Sequence, residues 1–413
     1  MVTENSTDQY NVWRDYYLII QGLFYLAQGV SMGALLFFTE FLNYLDVPKF
    51  ERILFQAIIA FPWYLKIIFG VLSDNVKIRN YGRRKPYIFI AGIFGVIGWL
   101  TIPLFTEFNP ILLFFGILAS LATAMSDAVI DALAVDITPP IRRGAMQGVS
   151  WGSRGLGIGI SAVVIGMLAE EELWFYVYAV PGIGVSLACF LVLLFQENPL
   201  APDFKPVPIK KYINELKPEK VQLCMAFQIL SGAGIAITAI IETFLREETD
   251  YSETDIGRVI AMFAVGMFIG AAVFGLLGDQ ISVRITLPVT TALYTAAIIS
   301  VFLFDIEEFI AAALFFGLIG LMNGGYEATQ MRIGMDIAST SESLEGTMYN
   351  LFNSISNIGQ FALGSLLVAM LVELADDYKI GWQLCWLFLL LAMVPGYLLV
   401  KKAIDIKENM ATN

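Results

Sequence analysis

The stretch FPWYLKIIFGVLSDNVKIRNYGRRKPY, residues 61–87, decides how the whole chain is arranged. It starts as an apolar run that contains Lys66 and ends near Asp74. A turn with five cationic residues follows: Lys77, Arg79, Arg83, Arg84 and Lys85. Lysine and arginine accumulate in short cytoplasmic loops beside membrane helices. The sequence therefore predicts a membrane helix that leaves the bilayer into a cytoplasmic loop.

The composition excludes an ordinary soluble protein. Of 413 residues, 57% are hydrophobic and only 15% are charged, which leaves too little polar surface to cover a soluble fold. Runs long enough to cross about 30 Å of hydrocarbon occur twelve times, and we number them segments 1 to 12. They are residues 16–39, 53–73, 87–106, 110–135, 145–169, 174–196, 221–245, 256–278, 285–304, 309–335, 346–372 and 381–402. The even number places both termini on the cytoplasmic side.

The distribution of charge agrees with this layout. Most of the 25 lysines and arginines lie on the same side as the 74–85 loop, as the positive-inside rule requires. The opposite loops hold only Lys49, Arg52, Arg246, Arg258 and Lys379. Acidic residues crowd those outer loops, so the net charge of −12 reflects an acidic outer rim facing water. We expect the lipid bilayer, and no nucleic acid, as a partner.

Several kinds of chemistry are absent from the sequence. The chain has no histidine and three cysteines, which lack a Cys-x-x-Cys spacing. We therefore expect no metal site, no cofactor and no enzymatic activity, and any proton transfer must use carboxylates.

Four charged residues lie inside the predicted membrane segments. Asp127 and Asp131 are four residues apart and project from one face of segment 4, while Lys66 and Arg154 lie in segments 2 and 5 at a similar predicted depth. Charges in a membrane are costly and mark functional sites. The four either form a neutral structural network or exchange partners, so that protonation of Asp127 or Asp131 frees a cation for an anionic substrate.

Further candidate residues are uncharged or lie in the second half. In segment 1, Tyr25 and Gln28 are predicted to line the site, and Gln28 either binds a neighbouring helix or a ligand. Segment 10 carries Glu327, which pairs with Arg332 or is the counterpart of the segment 4 carboxylates. Segment 11 offers the amides of Asn353 and Asn357.

A repeated motif predicts a gate. Gly70-x3-Asp74 leads into the basic loop, and Gly275-x3-Asp279 repeats the spacing about two hundred residues later, as expected for internal repeats. We predict that Asp74 holds the cytoplasmic side closed. The alternative is that the basic residues only orient the chain. The predicted gating residues are Gly70, Asp74, Gly82, Arg83, Arg84, Gly275 and Asp279.

Residues 197–220 divide the chain into two halves. Apolar residues at helical spacing, flanked by lysines, predict an amphipathic helix on the membrane surface. We expect a six-helix bundle over 1–196, a cytoplasmic linker over 197–220 and a second six-helix bundle over 221–413.

Taken as a set, these motifs resemble known transporters. The Gly70-x3-Asp74 loop resembles that of the major facilitator superfamily. A more specific resemblance, to the folate-biopterin transporter family, is carried by five motifs in segments 1 to 5. They are Tyr25-x2-Gln28-Gly29, Pro62-Trp63-x2-Lys66-x3-Gly70-x2-Ser73-Asp74, Pro86-Tyr87, Ser126-Asp127-x3-Asp131-Ala132 and Gln147-Gly148-x2-Trp151-x-Ser153-Arg154.

The resemblance implies an all-α membrane protein of twelve transmembrane helices, in two pseudo-symmetric six-helix bundles. It implies proton-coupled uptake of a pterin or folate by alternating access across the plasma membrane, with Lys66, Asp127, Asp131 and Arg154 at the family's charged positions. Sodium remains open as the coupling ion. We expect a monomer. Segment 4 also resembles that of muropeptide permeases and acetyl-CoA transporters, so another anionic metabolite is an alternative substrate. A membrane assembly or pigment-handling factor that transports nothing is a further alternative.

Overall fold

The computed structural model describes residues 14–76, 78, 82–139, 142–197, 207–341, 344–375 and 377–411. Within these ranges all regular structure is helical, and no strand occurs. The α-helices are α1 Tyr16–Leu36, α2 Phe38–Tyr44, α3 Lys49–Tyr64, α4 Lys66–Asn75, α5 Lys85–Thr101, α6 Pro110–Ile137, α7 Arg143–Glu170, α8 Trp174–Val192, α9 Ile209–Glu215, α10 Glu219–Gly234, α11 Ile237–Glu248, α12 Glu253–Gln280, α13 Val283–Ile299, α14 Phe309–Ala338, α15 Glu345–Asn357, α16 Ser365–Ala375, α17 Tyr378–Gly381 and α18 Leu384–Ala411.

Ten helical stretches of the described chain are long and apolar enough to cross a membrane. They correspond to ten of the twelve predicted segments. The other two, segments 2 and 7, fall on the helix pairs α3/α4 and α10/α11, each broken near its middle.

The break in segment 2 follows from its sequence. Pro62 lies inside α3, where it lacks an N–H and its ring crowds the preceding turn. The helix ends two residues later at Tyr64. Leu65 leaves helical geometry, with φ −96° and ψ 12°, and Lys66 starts α4. The break therefore presents Lys66 and free backbone groups in the middle of the segment.

Helix packing divides the described chain into two bundles. In the first, α1 packs on α7 and α8, and α5 packs on α6 and α8; in the second, α10 packs on α15 and α18, and α13 packs on α14 and α18. The buried hydrophobic residues form two clusters before residue 196 and one that draws almost entirely on residues after 206. Helix α9 lies between the bundles in sequence, where an amphipathic helix is expected.

The two bundles meet along several helix pairs. Helix α7 runs beside α12, while α4 and α6 pack on α15. The charged residues predicted from the sequence lie on α4, α6 and α7, so the fold brings them to this interface.

Candidate functional site

Asp127 is the centre of a buried charged cluster. Its carboxylate accepts hydrogen bonds from Lys66, at the start of α4, from Arg154 Nη2 at 2.9 Å and from Gln28 Nε2 at 2.5 Å. Asp127 has no exposed surface, and Lys66 and Arg154 are also buried. Three helices besides α6 thus contribute a donor to one carboxylate.

Gln28 joins the cluster on both sides of its amide. Its Oε1 accepts from Arg154 Nε at 2.8 Å and Nη2 at 2.5 Å, while its Nε2 donates to Asp127. Of the two interpretations of Gln28, an interhelical hydrogen bond and a ligand contact, the structure contains the first. The amide fixes Arg154 in place beside the carboxylate.

Asp131 connects the two halves of the molecule. Its carboxylate accepts from the Tyr25 hydroxyl of α1 and from Asn353 Nδ2 of α15, the latter at 3.0 Å. Lys66 Nζ lies 3.9 Å from the same carboxylate. Because Asp131 is one helical turn after Asp127, Lys66 touches both acids. The site therefore holds two carboxylates and two cations. Among the described residues, Asp131 is the one of these four whose side chain hydrogen-bonds to the second half.

Aromatic rings cover both cations. The Arg154 guanidinium lies 4.4 Å from the centroid of Trp151 and 5.1 Å from that of Tyr25, and Lys66 lies 5.6 Å from Trp63. Such contacts stabilise a cation with little water around it. The faces of these rings are therefore occupied by the protein's own cations, Lys66 and Arg154.

The break in segment 2 is capped by the opposite half. The backbone N–H of Ile67 donates to Ser354 Oγ at 3.1 Å, and Asn357 Nδ2 donates to the carbonyl of Trp63 at 3.4 Å. Buried backbone groups freed by a helix break need such partners. Both caps come from α15, so they exist only while α4 and α15 are packed together.

In the gating loop, Asp74 lies against α15. Asp74 accepts a hydrogen bond from Thr347 and forms an ion pair with Arg84 at 2.8 Å. Arg83 Nη1 lies 3.8 Å from Asp74, and both arginines bind Asp136. Burial lowers the pKa of the Arg84 guanidinium, but Asp136 and Asp74 outweigh it and leave that pKa raised. Arg84 thus stays cationic while it is buried.

Glu197 organises the loop itself. Gly82 has φ +97°, a left-handed conformation that favours glycine, and a side chain there would meet the Glu197 carboxylate. Glu197 accepts from the backbone N–H groups of Arg83, Arg84 and Lys85, at 3.0, 3.1 and 2.7 Å. These N–H groups lie at and just before the N-terminus of α5, where a carboxylate is favourable. Because Gly82 has no side chain, the Glu197 carboxylate can lie close to the backbone at this point.

In each copy of the motif the first glycine packs on a helix of the other half. Gly70 packs on Asn350 of α15, whereas Gly275 packs on Gly148 of α7. The side chain of Asp279 lies outside the described part of the chain, as do Lys77 and Arg79 of the basic turn. No counterpart of the Asp74 contacts is therefore assigned to Asp279.

Glu327 does not pair with Arg332. Arg332 Nε lies 3.9 Å from Asp336, and Glu327 is buried five residues before Arg332 on α14. Of the other predicted residues, Asn353 reaches the charged cluster and Asn357 reaches only the break. Among the described residues no group of three or more histidine, cysteine, aspartate or glutamate side chains is arranged to hold a metal.

Several residues of the site were not singled out from the sequence. Ser354, Thr347 and Glu197 are short polar or loop residues without a distinctive spacing, and their roles depend on which helix they face. The amide of Asn350, which donates to the carbonyl of Ala128 at 2.8 Å, belongs to the same contact. Only the amide-rich face of α15 gave a signal in advance.

Comparison with known proteins identifies the family. A family model described as the BT1 family matches residues 26–306, more than half of the chain. The chain belongs to the BT1 family. A second model, for the Major Facilitator Superfamily, matches residues 222–408. The resemblance to folate-biopterin transporters stated from the sequence is thereby confirmed.

Curated relatives of this BT1 family member include proteins named as folate-biopterin transporters. The folate-biopterin transporter of Synechocystis sp. is 28% identical over 229 residues, which cover 52% of this chain and 45% of that protein. A protein named "Probable folate-biopterin transporter 4", from Arabidopsis thaliana, is 29% identical over 162 residues, covering 37% and 32%. The matched region spans less than half the length of these relatives. They are named as transporters and not as enzymes, in agreement with the expectation from the sequence.

Solved structures establish the fold. The E. coli fucose:proton symporter FucP has a TM-score of 0.68 at 13% identity, covering 94% of this chain and 99% of that one. FucP in the outward conformation has a TM-score of 0.69 at 13% identity, with 95% and 99% covered. At this identity the likeness concerns the fold alone. The BT1 family member therefore has the major facilitator fold and is a multi-pass membrane protein.

Proposed function

We propose that this chain is a secondary transporter that moves a small anionic solute, of the pterin or folate class, by proton-coupled alternating access. The observation that carries the proposal is the position of Asp131, a buried carboxylate bound by Tyr25 and Lys66 of one half and by Asn353 of the other. A proton on this carboxylate would alter a contact between the halves. The names of the relatives support the substrate class.

The proposal includes twelve membrane spans. The broken pairs α3/α4 and α10/α11 are each counted as one span, in addition to the ten continuous ones. Broken helices at a membrane midplane are typical of transporters, because their free backbone groups face a binding site. With twelve spans both termini lie in the cytoplasm. We place the transporter in the plasma membrane as a monomer.

The two cations are the proposed anion site. Lys66 and Arg154 share one carboxylate, Asp127, and Arg154 is also held by Gln28. An anionic group of the solute would compete with Asp127 for these donors. Arginine suits this role because its planar donors match a carboxylate.

Proton coupling would act through Asp131. When ionised, it accepts from Asn353 and attracts Lys66. When protonated, it loses its attraction for Lys66, so that Lys66 can turn to the solute, and it becomes a weaker acceptor for Asn353. Substrate binding and release of the cytoplasmic contact would then depend on the same proton.

In the present conformation the cytoplasmic ends of α4, α6 and α15 are packed together. Asp74 accepts from Thr347, Ser354 accepts from Ile67, and Asn350 donates to Ala128. Solute release into the cytoplasm requires these bonds to break as a group. The gate proposed for Asp74 is one part of this contact.

Transport in proteoliposomes tests the proposal. The purified chain should accumulate labelled folate or biopterin when an inward proton gradient is imposed, and Asp131→Asn should abolish this accumulation while leaving exchange of internal for external solute. Glu307→Gln, an exposed acid in an outer loop, is the control and should behave as wild type. If a sodium gradient drives accumulation and a proton gradient does not, the coupling ion is sodium. Unchanged accumulation by Asp131→Asn would refute the role of Asp131.

A further inference from the structure

Two buried polar side chains in the second half have unused hydrogen-bonding groups. Asn323 and Glu327 lie one turn apart on α14 and are 0% and 3% exposed. Among the described residues, neither polar atom of the Asn323 amide has a hydrogen-bond partner, and neither does Glu327 Oε2. The charged cluster does not use them.

Two neighbours on the same helix are hydrogen-bonded. Tyr326 shares a hydrogen bond of 2.7 Å with Ser231, and Gln330 Nε2 donates to Gln228 Oε1 at 2.7 Å and to Ser356 Oγ at 3.0 Å. Among the described residues of α14, Gln330 Oε1 and Arg332 Nη1 also have no hydrogen-bond partner. Because Asn323, Glu327 and Gln330 are spaced by four and three residues, their free groups lie on one face of α14. An unpartnered polar group inside a membrane is costly, so a free carboxylate oxygen beside a free amide indicates a ligand that supplies the missing partners.

The part of α14 that carries Asn323 and Glu327 lies at about the same depth as Arg154 of the anion site. Gln147 of α7 contacts Met335 of α14, with 4.0 Å between Nε2 and Sδ. Arg154 is seven residues beyond Gln147, and Glu327 is eight residues before Met335. At 1.5 Å per residue both lie roughly 10 to 12 Å from that contact. The two helices pack on each other and run in opposite directions, so Arg154 and Glu327 lie at a similar depth along the interface.

We propose that Asn323 and Glu327 form the subsite for a heterocycle that presents adjacent ring N–H and amino donors, as the aminopyrimidinone edge of a pterin does. The carboxylate of Glu327 accepts from both donors, and the amide of Asn323 completes the pattern at the ring edge. The anionic end of the same solute then lies toward Lys66 and Arg154. This assignment rests on the proposed function and names which half of the molecule recognises which end of the solute.

A pair of ligands that differ at one group tests the subsite. Pterin and lumazine have the same bicyclic ring, but lumazine carries an oxo group where pterin carries the amino group, which places an acceptor against the Glu327 carboxylate. Calorimetric titration of the purified full chain in detergent should give pterin a tenfold to hundredfold tighter binding, on the order expected for one hydrogen bond to a charged group. The Glu327→Gln side chain offers a donor in place of an acceptor, so the preference should fall below about threefold or reverse. Asn323→Ala should weaken both ligands.

The outcomes separate this subsite from the proposed function. If wild type binds pterin tightly and Glu307→Gln keeps the preference while Glu327→Gln loses it, the subsite is established. If Glu327→Gln keeps the full preference but loses proton-driven uptake, Glu327 is a proton site and the subsite is refuted. If wild type binds pterin and lumazine equally, the subsite is refuted while the transport proposal stands. If it binds neither, nor folate, the substrate class fails and the subsite with it. Equal melting temperatures of the unliganded proteins verify that the variants are folded.

Discussion

Each half of the molecule contains a similar close crossing of two helices, but the side chains around the two crossings differ. In the first half, Gly29 of α1 fits against the backbone carbonyl of Arg154 of α7. In the second half, Gly232 of α10 fits against the carbonyl of Ser356 of α15. A side chain at either glycine would overlap that carbonyl. The backbone arrangement is thus repeated, whereas the residue whose carbonyl contacts the glycine is arginine in the first half and serine in the second.

The side chains around these crossings differ accordingly. The first half surrounds Asp127 with Lys66, Arg154 and Gln28. The second half joins neutral groups, with Gln330 donating to Gln228 and to Ser356. Close helix packing in a membrane needs only small residues and a few hydrogen bonds, and the side chains that join at the second-half crossing are neutral. The charges of the first half are therefore not required by the fold, which supports a role for them in binding and coupling.

The largest effect is expected from removing one cation of the charged cluster. Lys66→Met leaves Asp127 and Asp131 with Arg154 alone, and breaking a buried ion pair in this way costs about 3 to 5 kcal/mol. The unfolding free energy of the purified protein in detergent should fall by that amount. The matched change in the other half, Gln330→Met, removes only neutral hydrogen bonds and should cost about 1 kcal/mol.

A second substitution tests whether charge balance is the cause. In the double variant of Lys66→Met with Asp131→Asn, one cation faces one anion again, so most of the lost stability should return. If the double variant is as unstable as the sum of the single variants, the loss reflects packing of the lysine chain and not charge. If Lys66→Met and Gln330→Met lower the unfolding free energy by the same amount, the charged cluster of the first half contributes no more to stability than the neutral contacts of the second.

The next effect concerns the contact between the halves. Asn353→Ala removes a hydrogen bond to the Asp131 carboxylate, and bonds to charged groups contribute about 1.5 to 3 kcal/mol. Because this bond joins the two halves beside the packed ends of α4 and α15, hydrogen exchange of the α4 and α15 amides should accelerate roughly tenfold or more. Gln228→Ala, within the second half, is the control. Acceleration across the whole protein in Asn353→Ala would indicate general destabilisation and contradict a specific role in closure.

The charged site was largely predictable from the sequence, while its uncharged partners were not. Lys66, Asp127, Asp131 and Arg154 stand out because charges are rare in membrane segments. Pro62, which lies inside α3, explains the break that follows it in segment 2. The chemistry of each residue and its position along the helix were sufficient for these predictions.

Contacts across the interface needed the structure. Asn353, Ser354 and Asn357 all lie on α15, and nothing in their spacing states which one faces Asp131 and which faces the break. That depends on the rotation of α15 against α4 and α6, which is fixed by packing between residues distant in the sequence. The free groups of Asn323 were hidden for the same reason, because an amide is recognised as unpartnered only when its neighbours are known.

The shared crossing predicts equal effects in the two halves. Gly29→Ala and Gly232→Ala each force a methyl group onto a backbone carbonyl, and overpacking of this kind costs about 1 to 3 kcal/mol. The unfolding free energies of the two variants should therefore fall by similar amounts. A loss confined to Gly29→Ala would mean that the crossing matters only through the charges around it. Gly184→Ala, at a glycine with open space around it, is the control and should be close to wild type.

The smallest effect separates two serines on the same helix. Ser354 of α15 accepts from the Ile67 N–H of the opposite half, whereas Ser356 accepts from Gln330 of its own half. Each serine-to-alanine change removes one neutral hydrogen bond, worth about 0.5 to 1.5 kcal/mol. Ser354→Ala leaves the Ile67 N–H without its cap only in the closed arrangement, so it should shift the protein toward cytoplasmic opening, seen as faster exchange of the amide at 67. Ser356→Ala weakens the second half in every conformation and should lower the unfolding free energy without that local change. If both variants expose the α3/α4 break equally, the cap on segment 2 does not depend on the contact between the halves, and α15 serves only as a packing surface.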